Sequence, residues 1–377
     1  TLLPARLKVL ERKTGQDILI KAHRLCAFLS LLCVVAHVVF VNVGQLFPGK
    51  SAAPVWALPL GQITALCIFG GIVGAALANK IFPDYLKWRF IHRFLGVLVI
   101  SAALHGLFLG SHLAVAPMRI VFILVAVLSL LFTLYRRVYA SCISLRSYET
   151  ISVRRASKNE KAWTLTLKAN GTPLPIHEPG QFGFFTFAPG GMSGEEHPFS
   201  FSSPHGEEKC QITIRAVGDF TNQVSQTKAG DIVAIDGPYG SFGHNLAEAP
   251  SFLFIAGGIG VTPLFSMYEH LQRQNDERKG LFLRAAREED DLVFSDALKK
   301  PFGNWQQKVV LSKPKEDWSG LCGHIDEEFL KAEAADYLSD SFVYLCGPPA
   351  MMQDVQKALT NLGVDECRIN FERFTFP

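Results

Sequence analysis

Charge is scarce in this sequence. Of its 377 residues, 19% are Asp, Glu, Lys or Arg and 49% are hydrophobic, whereas an ordinary soluble domain carries about 25% charged side chains. That composition excludes a disordered chain, and a mean hydropathy of +0.20 argues against a wholly soluble one. The charge present has no dominant sign: 37 basic against 34 acidic side chains leave +3, too near balance for an electrostatic grip on nucleic acid. Paired cysteines are missing too. The eight cysteines stand singly, with no C-x-x-C and no zinc-like spacing, so neither a disulfide framework nor a zinc site is indicated, and the polar part of the chain suits the cytosol.

The remaining charge is unevenly placed. Between Leu25 and Ala78 only Lys50 is charged, and Phe94 to Met118 holds no charged side chain. A membrane span needs about 20 apolar residues, which gives four candidate helices at roughly 22–43, 56–79, 87–109 and 118–137. Basic residues favour the cytosolic side. They cluster before the first helix (Lys8, Arg12, Lys13, Lys21, Arg24), between the second and third (Lys80, Lys87, Arg89, Arg93) and after the fourth (Arg136, Arg137). The three clusters fall on one side, so the region after residue 140 is expected in the cytosol and the first and third helices run outward together. Leu2 to Lys13 is amphipathic and too polar to span, as in an interfacial helix.

Histidines stand where lipid makes an ionisable group costly. His23 and His37 are 14 apart, which puts them about 21 Å apart and within about 40° of one helix face. His92 and His105, 13 apart on the third helix, would meet them at two depths, His23 with His92 and His37 with His105. Two stacked bis-imidazole sites suit two haems, each iron taking one axial ring from either helix. An ideal helix leaves His105 about 140° out of phase with His92, so a bend or bulge is expected between them. Gly96 and Gly106 would let a macrocycle approach the backbone. Arg24 and Arg93 follow the inner histidines and suit either haem propionates or plain inside-positive anchors; His112 has no partner.

After Arg137 the pattern changes to short alternating strands and Gly/Pro turns, near 150, 165, 184, 200, 213 and 234, as in an antiparallel barrel. Within it, His197-Pro-Phe-Ser-Phe-Ser-Ser203 places a hydroxyl, Ser200, on a rigid strand where it can meet a flavin ring nitrogen. Gly218-Asp-Phe-Thr221 is expected to open a helix whose N-H groups suit a pyrophosphate. From Phe252, strand and helix alternate as in a parallel sheet. Gly257-Gly-Ile-Gly-Val-Thr-Pro263 and Cys346-Gly-Pro-Pro349 both follow apolar strands and form two loops at one sheet edge, the place for a dinucleotide. Arg284 and Arg287 are candidate cations for a 2'-phosphate, opposed by Glu288 to Asp291.

Together these motifs resemble the NADPH oxidase family, within the ferric reductase superfamily: a bis-haem transmembrane domain followed by a ferredoxin-NADP reductase-like module. His23-Arg-Leu-Cys-Ala-Phe-Leu-Ser through His37, with Trp88-Arg-Phe-Ile-His92 through His105, is most similar to the bacterial members. The resemblance implies a multidomain chain: an interfacial segment at 1–20, a haem domain of four helices at 21–140 lacking the family's first two, an FAD-binding β-barrel at 141–249 and an NAD(P)H-binding α/β domain at 250–377. It implies His23, His92, His37 and His105 as iron ligands. His197, Pro198, Phe199, Ser200, Ser203 and Thr221 would bind FAD. Gly257, Gly258, Gly260, Thr262, Pro263, Arg287, Cys346, Gly347 and Pro348 would bind the nicotinamide nucleotide. Phe374 or Phe376 would lie beside the flavin, and Glu372, with Cys346 and Ser200, at the hydride-transfer site. The expected activity is electron transfer from cytosolic NADPH through FAD and two b-type haems to oxygen across a cell membrane, giving superoxide. A ferric reductase is the rival, and a non-catalytic haem subunit the more distant one. With no EF-hand string and no proline-rich docking segment, no regulatory subunit is implied.

Overall fold

The computed structural model describes residues 16–44, 57–77, 92, 98, 100–108, 116–134, 146–159, 161–171, 173–187, 196–204, 208–299 and 301–374. The interfacial segment up to residue 15, Lys50, the basic turn at 80–89, Arg93, Gly96, His112, the Arg136 and Arg137 pair and Phe376 lie outside them. The chain divides into two units, Thr1–Ile143 and Ser144–Pro377.

Helix is what an uncharged run of Leu, Ile, Val and Ala forms when its backbone bonds must be satisfied internally. In the first unit such runs give α1 (Gln16–Gly44), α2 (Ala57–Ala76) and α3 (Ala116–Leu134), with a further helical run at 100–108. Lys21–Phe40 of α1 is long and apolar enough to cross a membrane, while Pro59–Gly74 and Arg119–Leu131 are shorter apolar stretches. The helices turn their large apolar residues outward: Phe40 is 75% exposed and Leu66 72%. Gly106 packs against a neighbouring helix, since a Cβ there would lie 2.9 Å from Phe122 Cζ. The opening expected beside that glycine is therefore taken by a ring of α3.

In the second unit the period of hydrophobicity falls to two, and strands replace helices. β1 (Arg146–Arg155), β2 (Ala162–Ala169), β3 (Phe182–Phe187), β4 (Glu196–Ser200), β5 (Lys209–Arg215) and β6 (Ile232–Tyr239) form an antiparallel sheet in the order β4-β3-β6-β1-β2-β5. Its ends meet through Phe201 and Ile212, and the Ser202 N-H donates to Gln211 O at 2.8 Å. The sheet is thereby closed into a barrel around Leu165, Phe185, Phe201 and Ile212.

β7 (Phe252–Gly257), β8 (Gly280–Ala286), β9 (Trp305–Leu311), β10 (Leu321–Cys322), β11 (Phe342–Cys346) and β12 (Ile369–Glu372) form a parallel sheet ordered β10-β9-β8-β7-β11-β12. Alternation along β7 serves two cores: Phe252, Phe254 and Ala256 join the cluster beneath α4 (Val261–Arg273), and Leu253 and Ile255 face the cluster on the other side. α5 (Glu327–Glu333), α6 (Ala335–Leu338) and α7 (Pro349–Asn361) complete the layers. Strand order reverses between β7 and β11, which makes that carboxyl edge the natural ligand crevice.

Candidate functional site

The two loops at this edge interlock through their backbones. β7 and β11 run side by side with Ala256 opposite Cys346. A Cβ on Gly257 would stand 2.7 Å from Pro348 Cδ, and one on Gly260 would strike Cys346 O and lie 2.7 Å from Gly347 N. Only glycine fits either place. Gly258 has φ +53°, a left-handed turn that glycine adopts without strain, and a Cβ there would sit 3.1 Å from Arg215 Nη1. The Thr262 hydroxyl donates to Ile259 O at 3.0 Å, and Pro263 occupies the first turn of α4, where its missing N-H is no loss. Pro349 begins α7 in the same way.

The sheet edge and the barrel converge on a second point. β12 lies beside β11 with Glu372 opposite Cys346. Cys346 is fully buried, and burial, with the neighbouring Glu372 carboxylate, pushes its thiol well above the usual range. It therefore keeps its proton at neutral pH. The turn Asp236-Gly-Pro-Tyr239-Gly240 reaches the same spot from the barrel: a Cβ on Gly240 would lie 3.0 Å from Phe182 Cδ1 and 3.9 Å from Glu372 Oε2. Phe182 in turn pairs with Ser200 across β3 and β4. Ser200, Phe182, Gly240, Glu372 and Cys346 thus follow one another across the junction. The Ser200 hydroxyl is buried with no hydrogen-bond partner among the described residues. An orphaned hydroxyl on a rigid strand is the donor that a flavin ring requires, so the barrel site fits FAD, as the glycine cradle fits a dinucleotide.

The other sequence-indicated residues are placed as follows. His197 stacks on Phe220 at 3.7 Å and 23° between planes, joining β4 to the Gly218–Thr221 turn. That turn opens a helix as expected, the short 3-10 helix Thr221–Gln226. The Thr221 hydroxyl closes it, accepting from Val217 N at 3.0 Å and Gly218 N at 2.9 Å. Pro198 pairs with Phe184 in the sheet, and Phe199 packs on the barrel core. Ser203 is buried at the junction: its hydroxyl accepts from Gln211 N at 3.1 Å, and its carbonyl accepts from Ser266 of α4 at 2.8 Å. Phe374 is part-exposed beyond β12. Arg287 is exposed at the end of β8, where its carbonyl accepts from Lys313 N at 2.8 Å. Three side chains of the acidic run beside it are ion-paired. Glu289 pairs with Lys158, Asp290 with Lys315 and Asp291 with Arg215. Arg284 is 7% exposed; burial lowers its pKa to about 10, which leaves it charged at neutral pH, and its Nε and Nη1 have no hydrogen-bond partner among the described residues.

Sequence reading missed two features. One is the Asp236–Gly240 turn, in which Tyr239 Oη donates to the buried Asp236 at 2.6 Å. Its signal was the Gly-Pro-Tyr-Gly string before the first parallel strand. The other is Asn245, which accepts from Tyr344 Oη at 2.8 Å and donates to Asn370 at 3.1 Å, tying the loop after the barrel to β11 and β12. No local pattern announces it.

In the first unit the four histidines meet as two pairs. Ring centroids of His23 and His92 are 6.2 Å apart with planes at 87°, and those of His37 and His105 are 6.1 Å apart at 88°. Two imidazoles on opposite sides of one metal, each bonded at about 2 Å, place their centroids about 6.3 Å apart. The observed gaps match that span, and they are too wide for a hydrogen bond between the rings. Each pair fits a six-coordinate iron with an axial ring from either side. The bend expected between His92 and His105 falls on 93–97 and 99, outside the described residues.

Comparison with known proteins bears on the second unit. Residues 159–242 match the FAD-binding domain family and 254–357 the oxidoreductase NAD-binding domain family. Over 167 residues, 42% of this chain, it is 34% identical to one component of the Na(+)-translocating NADH-quinone reductase of Psychrobacter arcticus, of which it covers 40%. Over 232 residues, 59% of this chain, it is 28% identical to the stachydrine N-demethylase reductase component Stc4 of Rhizobium meliloti, covering 65% of that protein. The chain therefore spans about two fifths of the length of the first of these relatives, and both are named as components of reductase systems. Among solved structures, the FAD/NAD-binding domain of nitric oxide dioxygenase from Vibrio cholerae aligns at a TM-score of 0.54 and 25% identity, covering 60% of this chain and 98% of that domain. With both family domains present in order along one barrel and one parallel sheet, the C-terminal unit is a ferredoxin-NADP reductase-like module, an oxidoreductase unit that binds FAD and takes electrons from NAD(P)H.

Proposed function

We propose that the whole chain is a membrane-spanning flavocytochrome of the NADPH oxidase type, passing electrons from cytosolic NADPH through FAD and two b-type haems to oxygen on the opposite side, with superoxide as product. The observation that carries this reading is the pairing of four histidines at centroid separations of 6.2 and 6.1 Å, in a unit whose apolar side chains face outward, on the same chain as the reductase module. When bound, FAD accepts hydride from the nicotinamide and releases electrons singly, and haem carries single electrons.

The chain's own residues bind, orient and hold protons. Gly257, Gly258 and Gly260 let the backbone approach the nucleotide phosphates, and Cys346 with Gly347 and Pro348 forms the facing wall. Ser200 Oγ offers its hydrogen to the flavin ring. Glu372, beside the neutral Cys346 thiol, holds a carboxylate at the nicotinamide end of the crevice. His23 with His92, and His37 with His105, would hold the two haem irons, at the inner and the outer level. Two imidazoles given to each iron would leave no ligand position for the acceptor, so the haems would supply single electrons without binding it. The outer connections, Val43 to Ala57 and Gly110 to Pro117, hold no carboxylate to collect a hydrated ferric ion, which favours oxygen over a ferric chelate. Exposed Arg287 favours NADPH over NADH.

The test is anaerobic addition of NADPH to the purified, detergent-solubilised chain with FAD, followed by air or a ferric chelate. The expected outcome is a flavin-dependent Soret shift of two haems per chain, then dye reduction in air that superoxide dismutase suppresses. No Soret change would remove the electron-transfer reading; rapid anaerobic chelate reduction with negligible superoxide in air would replace the oxidase by a ferric reductase.

A further inference from the structure

The outer histidine pair is seated by a neighbouring helix. Gly61 lies on α2, and a Cβ built there would overlap the His105 ring at Cε1 and Nδ1 and come within 2.7 Å of Nε2. The imidazole edge therefore rests on the bare backbone of α2, in a space any other residue would fill. One turn along α2, Thr64 is 4% exposed and donates its hydroxyl hydrogen to Leu60 O at 2.7 Å. With that hydrogen committed, Thr64 Oγ1 acts as acceptor toward Ser101 Oγ, with which it is in hydrogen-bond contact. Ser101 stands four residues before His105 on the run 100–108, and residues four apart in a helix share a face, as do Gly61 and Thr64 three apart. The four residues make two rungs between antiparallel segments, Thr64 with Ser101 and Gly61 with His105.

Two rungs fix what one cannot. The hydroxyl bond sets the rotation of the run 100–108 about its own axis, and the glycine notch admits the ring at one orientation. Rotation matters here because an ideal helix starting from His92 would carry His105 about 140° away from the required face.

We infer that Gly61 and the Thr64–Ser101 hydrogen bond are positioning residues for the outer iron site: they hold the His105 plane near perpendicular to that of His37, and so set the electronic asymmetry and potential of a metal held between those rings. This rests on the haem reading of the two pairs. The angle between axial imidazole planes governs the splitting of the iron d orbitals, and hence the anisotropy of the ferric low-spin paramagnetic resonance signal. A near-perpendicular pair gives a strongly anisotropic signal and a coplanar pair a less anisotropic one.

The experiment uses the full chain, purified with haem, and reads haem content, low-temperature paramagnetic resonance and the two midpoint potentials. Wild-type chain is measured first; if it holds no haem, the haem reading fails and this inference with it. Given two haems, Gly61→Ala is expected to shift the outer signal toward lower anisotropy and move the outer potential, and Gly61→Val to lose the outer haem, the inner signal staying unchanged in both. Thr64→Val is expected to shift the outer signal, and Thr64→Ser, which keeps the hydroxyl, to restore it. Gly70 and Gly74 lie on the same helix with open space around them, so Gly70→Ala and Gly74→Ala control for loss of a helix glycine and should leave both signals as they are. Two unaltered signals in Gly61→Ala and Thr64→Val would overturn the inference. Equal shifts in Gly61→Ala and Gly70→Ala would do so as well, because the effect would then be one of general helix packing.

Discussion

The two units of this chain are turned inside out relative to each other. In the C-terminal unit the largest apolar side chains, such as Phe252, Phe254 and Phe282, are fully buried. In the N-terminal unit residues of the same kind, Phe40 and Leu66, are among the most exposed, while a hydroxyl pair, Thr64 with Ser101, and two histidine pairs are turned toward neighbouring helices. Apolar burial organises the first case. In the second, apolar surface faces out and polar side chains pair between helices, the arrangement that the proposed membrane-spanning role calls for.

The sharpest way to break this contrast is to delete the same kind of bulk in each unit. Phe254→Ala should cost about 3–5 kcal/mol and lower the thermal midpoint of the C-terminal unit, because the cavity opens in a packed core. Leu66→Ala should stay within about 0.5 kcal/mol in detergent, having no core to empty. Calorimetry of both variants decides it, and equal losses would end the inside-out description.

Polar groups come next. If the paired imidazoles of the first unit hold metal, His37→Leu or His105→Leu should remove one of two haems while NADPH still reduces FAD at the wild-type rate. Two haems per chain in either variant would reduce the pairing to a packing feature. In the second unit the polar group set aside for a cofactor is the buried Ser200 hydroxyl. Ser200→Ala should weaken FAD binding or slow flavin reduction about tenfold, the worth of one good hydrogen bond, without lowering the stability of the flavin-free chain. Destabilised apoprotein would instead point to an internal partner.

The smallest effect concerns Arg284. Burial disfavours its charged form, so the folded pKa, about 10, lies below the ordinary arginine value. Between those values the unfolded chain binds more protons, and the stability of the C-terminal unit should rise with pH, whereas below pH 10 the whole penalty persists. Arg284→Met should accordingly leave the thermal midpoint unchanged or raise it by a few degrees at neutral pH. A clear drop would show that the guanidinium has a stabilising partner.

Much of this was legible in the sequence where the cause is local. The six barrel strands and the parallel sheet follow from alternation and from turn residues. The histidine pairs follow from spacings of 14 and 13 on parallel helices. What failed to show is what depends on distant partners. The ion pairs of Glu289, Asp290 and Asp291 could not be read, because their partners Lys158, Lys315 and Arg215 are remote in sequence. The Gly218–Thr221 turn was legible as a helix start, and a 3-10 helix opens at Thr221; what stayed hidden is that the Thr221 hydroxyl accepts from Val217 N and Gly218 N. The Gly61 notch was equally hidden, since a glycine in an apolar run carries no mark of the ring that lies on it.

The meeting of Gly257 with Gly347 has a consequence for how substrate is read. A Cβ on Gly347 would lie 3.0 Å from Gly257 Cα, so neither loop can take up bulk or shift without moving the other. The crevice then responds to damage as one object rather than as two independent half-sites. Gly257→Ala and Gly347→Ala, combined, should weaken NAD(P)H binding little more than the worse of the two alone, leaving a large coupling energy in the double-mutant cycle; simple additivity would mean that the loops yield separately.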